Sequence, residues 1–174
     1  MHFNTKELKI LIWVDETAWN EEQSSQILKS FEPLSTQKDA STAIGAGASG
    51  LRPELEVLIQ FAHDHYQQFL VEGFIKAVGT EVLKLLISGL KHIARIKPNP
   101  NIPTNEGLGY EVNSADLNLH IQAGENMMLV TIPLVNEKDY DEAFDALPKA
   151  IDKAYKAKTK FSRMYWTSKS WKRI

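Results

Sequence analysis

Asp15 and Glu16 directly follow an apolar run, Leu8 to Val14, and carboxylates just past a strand end are where open α/β sheets hold ligands. With Glu21 and Glu22 they would offer oxygen ligands to magnesium, an ion that prefers carboxylates and water. The segment DETA has no second aspartate two positions on, and no matching acid or lysine is evident downstream. Helix capping and solvation are the simpler roles for these acids. A metal-dependent enzyme using Asp15 and Glu16 therefore stands as an alternative reading; no cofactor is expected.

A second candidate is the string Gly45-Ala46-Gly47-Ala48-Ser49-Gly50, which satisfies G-x-G-x-x-G. In that motif, glycines let backbone amides at a helix start approach a pyrophosphate. The surroundings argue against it: DASTAI is a poor strand, Pro53 follows the motif, and the next forty residues supply no strand ending in a ribose-binding acid. The loop reads as a flexible lead-in to a helix. Its alternative use is an anion or partner contact at Gly45, Gly47, Ser49 and Gly50.

His63 and His65 flank Asp64, but two residues apart on a helix they diverge, whereas a helical metal pair needs a spacing of three or four. His120 falls on the polar side of an alternating segment, and His92 beside Lys91; both read as surface residues. The common serine-hydrolase, P-loop and zinc-protease motifs are absent.

The end of the chain is different in kind. Residues 149–174 hold nine lysines and arginines against one acid, an excess of +8 that leaves −10 on residues 1–148. The bases interleave with aromatics, giving the candidate partner-binding set Lys160, Arg163, Tyr165, Trp166, Lys169, Trp171, Lys172 and Arg173. Such a segment has three uses: docking or recruiting a protein, meeting phosphates and stacking on bases, or sitting among lipid headgroups. A protein partner is expected first and nucleic acid second, with a membrane least favoured.

LKILIWV, Leu8 to Val14, is apolar on both alternating sets and reads as an interior strand. Asn20 to Phe31 reads as a short helix ended by Pro33. From Pro53 to about Ile96, Leu55, Ile59, Ala62, Tyr66 and Phe69 recur at three and four, which predicts a long amphipathic helical region bent near Gly73 or Gly79. Gly73 and Ala77 would let another helix come close, in the core or in a homo-oligomer.

Lys97 to Gly109 is rich in proline and glycine and reads as an internal linker. DLNLHIQ, AGEN and MMLVTI predict a hairpin with one buried face, its second strand ending at Pro133 or lying at an edge. Tyr140, Phe144, Leu147, Ile151 and Tyr155 mark a last helix over about 139–158, kinked or split by Pro148.

These elements predict an α+β fold in which a small, mostly antiparallel sheet, the N-terminal strand plus a hairpin, is packed on one face by long helices. One domain spans 1–158 and a basic aromatic tail spans 159–174. Apolar residues at 43% and charged residues at 24% are ordinary for a globular chain, and the absence of cysteine fits a reducing, cytoplasmic setting.

The order of elements, with ILIWVDE as first strand and IGAGASGLRPELEVLIQF leading into a helix, resembles the effector-associated adaptor modules of bacterial conflict systems. That resemblance implies a coupler that brings an effector to its sensor, with no catalytic residues carried over. The expected function is a non-enzymatic protein–protein interaction module, the alternative a nucleic-acid binder acting through the tail.

Overall fold

Strict alternation of buried and outward side chains runs through β1 (Leu8–Val14), where Leu8, Ile10, Ile12 and Val14 point into the core and Lys9, Leu11 and Trp13 away from it. The same parity governs β2 (Glu54–Phe61), β3 (Ala115–Ala123), β4 (Asn126–Leu134) and β5 (Phe161–Trp166), with β6 (Trp171–Arg173) closing the series. The computed structural model describes residues 8–14, 18–34, 54–98, 115–134, 137–158 and 160–174.

The six strands form one sheet in chain order. β1–β2, β3–β4 and β5–β6 pair antiparallel, while β2–β3 and β4–β5 pair parallel. The protein is thus α+β; its sheet is larger than the one expected and is mixed, with three of its five pairings antiparallel. Parallel neighbours need a crossover, and helices supply both.

Three elements differ from expectation. First, Glu54–Phe61 is a strand, not the start of a helix. Leu55 and Ile59 lie four apart and so satisfy both periods; Val57 and Phe61, buried with them, complete the period of two. Second, β1 lies at the end of the strand order rather than inside the sheet, and its Leu11 and Trp13 are only half-buried. Third, the supposed tail is a hairpin: β5 pairs with β4 from Met127↔Phe161 to Thr131↔Tyr165, and β6 pairs with β5.

The helices cover the inner face. α1 (Glu21–Lys29) begins at a capping box in which the Asn20 side chain accepts from the Gln23 backbone and the Gln23 side chain accepts from the Asn20 backbone, each at 2.9 Å. Trp19, fully buried, donates its Nε1 to the Ile96 carbonyl at 2.9 Å and so ties this start to the far end of α4.

The expected helical region is three pieces, α2 (His65–Glu72), α3 (Phe74–Val78) and α4 (Thr80–Ala94). Gly73 (φ 85°, ψ 150°) and Gly79 (φ 87°, ψ 152°) part them in a conformation that is essentially reserved for glycine. α5 (Glu137–Lys156) continues through Pro148 and is not split there. The apolar stripe on either side, Phe144 and Leu147 before and Ile151 after, is buried and holds the turn in place despite the lost backbone donor.

Asp152 on α5 secures the first break. Its Oδ1 accepts from the Phe74 backbone N–H at 2.7 Å, and its Oδ2 pairs with Lys156 at 2.7 Å. A Cβ on Gly73 would sit 2.7 Å from that same Oδ1, whereas one on Gly79 would meet nothing within 4 Å. Beneath lies an aromatic cluster: Phe69 is 5.1 Å from both Phe61 and Phe74 and 5.2 Å from Tyr155, in edge-on or tilted geometries.

The Tyr155 hydroxyl is buried there with no hydrogen-bond partner among the described residues, and burial, then the neighbouring Tyr66, pushes its ionisation above the ordinary tyrosine value. The folded state therefore holds this proton more tightly than the unfolded chain. The resulting stability is present below about pH 10 and is lost as pH rises beyond it.

Two substitutions at the breaks separate strain from contact. Gly79→Ala costs about 1–3 kcal/mol in urea unfolding through backbone strain alone, and Gly73→Ala costs more because it also displaces Asp152. Equal losses would show that the Asp152 contact adds nothing. Tyr155→Phe is expected to stabilise by about 1 kcal/mol at neutral pH by removing an unpaired buried hydroxyl, and to lessen the alkaline loss. A destabilisation of that size would instead mean that the hydroxyl is bonded.

Candidate functional site

Because parity sends every second residue out of the core, the outer face of the sheet carries a defined set. On β5, Ser162, Met164 and Trp166 are buried while Phe161, Arg163 and Tyr165 face outward. Phe161 is 59% and Tyr165 42% exposed. Across the ladder, Phe161 adjoins Met127, Arg163 adjoins Leu129, and Tyr165 lies between Thr131 and Lys172.

Further in, the outer face sets Leu58 and Leu129 among polar side chains that bond to one another. Thr131 Oγ1 donates to Asn118 Oδ1 at 3.0 Å, and Gln60 Nε2 to Gln122 Oε1 at 3.4 Å. His120 Nε2 lies 3.9 Å from Glu56 Oε2. His120 is thus half-buried on the outer face of β3, the polar side on which alternation placed it.

The tail aromatics divide into two pairs. Phe161 and Tyr165 face out; Trp166 and Trp171 turn toward the helices, their ring centroids 5.4 Å apart. Trp171 Nε1 donates to the Ala143 carbonyl of α5 at 2.9 Å, which pins β6 to the body. Trp166 is buried, and its Nε1 has no partner among the described residues. Of the eight residues singled out in this segment, six therefore remain at the surface, while Trp166 and Trp171 anchor the hairpin instead.

Charge on the hairpin is of one sign. Residues 158–174 hold six lysines or arginines and no acid. Lys160 reaches Glu125 at 3.2 Å, but among the described residues Arg163, Lys169 and Lys172 have no carboxylate partner. On the helices the pattern is the reverse: Lys91 pairs with Asp145 at 2.7 Å, and Arg95 meets both oxygens of Asp141 at 2.8 and 2.9 Å.

Those two pairs border an open groove of about 690 Å³ between α4 and α5, with Ile75, Ile87 and Pro148 on its walls. Its cations Lys91 and Arg95 are already held by acids. At its rim, Ser30 Oγ lies 2.6 Å from His92 Nδ1, a serine–histidine contact that sequence spacing did not bring together. Among the described residues no carboxylate orients the far side of His92, and Ser30 Oγ also donates to the Gln26 carbonyl at 3.0 Å. The contact joins the end of α1 to α4.

His63 lies in the turn after β2, and His65 is the first residue of α2, stacked on Phe69; the helical reading of the pair does not apply. Among the described residues no group of three or more histidine, aspartate or glutamate side chains is placed to hold a metal ion. Asp15, Glu16, Gly45, Gly47, Ser49 and Gly50 lie outside the described residues, as does most of the 97–109 linker. Among the described residues no helix is long and apolar enough to cross a membrane.

No protein-family model matches the chain, and no curated protein or solved structure matches it significantly.

A docked hairpin makes a direct prediction for limited trypsin digestion. Arg163, paired on both sides, is cut far more slowly than the same site in an unfolded peptide, and Trp171→Ala accelerates that cleavage by loosening β6. Rapid cleavage at Arg163 in the unsubstituted chain would contradict the docking.

Proposed function

We propose that the chain is a non-enzymatic interaction module that recruits a partner through the outer face of the β5–β6 hairpin. The observation that carries this reading is the set of unmatched cations, Arg163, Lys169 and Lys172, accompanying two outward rings on a strand pair fixed to the core. Exposed aromatics beside arginine are the residue types that dominate binding energy at interfaces. A rigid platform also loses little conformational entropy on binding.

The resemblance to effector-associated adaptor modules supports the same reading, since such modules couple partners and do not catalyse. A chain without cysteine suits a cytoplasmic setting. The metal-dependent alternative gains no support from the geometry, because Asp15 and Glu16 lie outside the described residues.

The test is affinity capture with the full chain and with the double variant Phe161→Ala/Tyr165→Ala, whose folding is checked by thermal melting. A specific partner retained by the parent and lost by an equally stable variant is the expected result. Partner capture indifferent to both substitutions, together with a substrate turnover abolished by Asp15→Ala, would reverse the reading.

A further inference from the structure

Resting on that reading of the hairpin, we infer that its partner is a single strand of nucleic acid. Outward positions on β5 follow one another at about 6.8 Å, two residues of extended chain, so Phe161, Arg163 and Tyr165 form a row of ring, guanidinium and ring. Each nucleic-acid base has a flat π-face, and stacking on aromatic side chains tolerates any sequence. Arg163 between the rings and Lys172 beside Tyr165 stand where a backbone threading past those bases would carry its phosphates.

The surroundings fit the same ligand. Beside Tyr165, Thr131 and Asn118 are bonded to each other and continue the row as polar surface. Charge complements it as well: the hairpin's excess of six positive charges stands against −8 on residues 1–157, which repels a polyanion from the rest of the molecule and orients it on the hairpin.

Other polyanions fit less of the surface. An acidic peptide would answer the cations, but its side chains offer no flat faces to the two rings. A duplex would answer the cations too, yet its base faces are hidden in the stack. The surface engages phosphates and base faces, features that RNA and DNA share.

Fluorescence anisotropy with the full chain tests this directly. Labelled ribo- and deoxyribo-oligonucleotides of about 12 nucleotides are compared with a duplex of the same length and with a polyglutamate peptide. Expected is binding of a single strand in preference to the duplex and the peptide. With three unmatched cations neutralising phosphates, affinity falls about 20-fold between about 50 and 200 mM salt.

Phe161→Ala and Tyr165→Ala each weaken binding about tenfold with the melting temperature unchanged, and Arg163→Gln flattens the salt dependence. Binding of either sugar type supports the inference, and their ratio identifies the preferred strand. No binding of either at low salt, equal binding of duplex or peptide, or full affinity in the ring variants would overturn it. If the oligonucleotides fail while partner capture stays sensitive to Phe161→Ala/Tyr165→Ala, the interaction-module reading stands and the nucleic-acid inference falls; if both fail, both fall.

Discussion

Pairing in one register across six strands is the constraint from which the rest of the molecule follows. Side chains alternate along each strand, so once Leu55, Val57, Ile59 and Phe61 are committed to the core, the ladder carries the same commitment to β3, β4 and β5. A slip of one residue in β5 would bury Arg163 and expose Trp166. The cost of desolvating an unpaired guanidinium forbids that arrangement. The outward placement of Phe161, Arg163 and Tyr165 is therefore a consequence of core packing, not a separate feature of the surface.

α5 is the element through which stability and surface are linked. Its Asp152 carboxylate holds the first backbone amide of α3, its Tyr155 ring completes the aromatic cluster, and its Ala143 carbonyl accepts from Trp171 on β6. One helix thus fixes both the segmented connection between β2 and β3 and the edge of the sheet that carries unmatched charge. The two glycine breaks turn what would be a long rod into three short pieces that fit within a single crossover.

Much of this was legible in the sequence, and the failures have physical causes. β3 and α5 announce themselves because their polar and apolar positions separate cleanly at periods of 2 and 3.6, and β4 by its apolar run directly after the AGEN turn. Pro133, read as a strand end or an edge, pairs with Asp116 beyond the stretch of β4 that meets β5, where its missing donor is not needed. β2 was hidden because residues four apart satisfy both periods. β5 was hidden because its inner set contains Ser162 and its outer set contains Phe161 and Tyr165, so alternation of type is lost even though alternation of burial is strict. The density of lysine and arginine then made a strand pair read as a tail. Which aromatics anchor and which remain exposed follows only from the register with β4, a long-range pairing that no local window contains.

Amide hydrogen exchange across residues 161–166 tests the central claim most directly, because it reads the pairing of β5 with β4 independently of any ligand. Protection in β5 comparable to that in β4, with both opening as one unit, is the predicted result. Exchange over residues 161–174 at the rate of an unfolded chain, while β3 and β4 stay protected, would contradict the account. It would return the basic segment to a free tail without a fixed face.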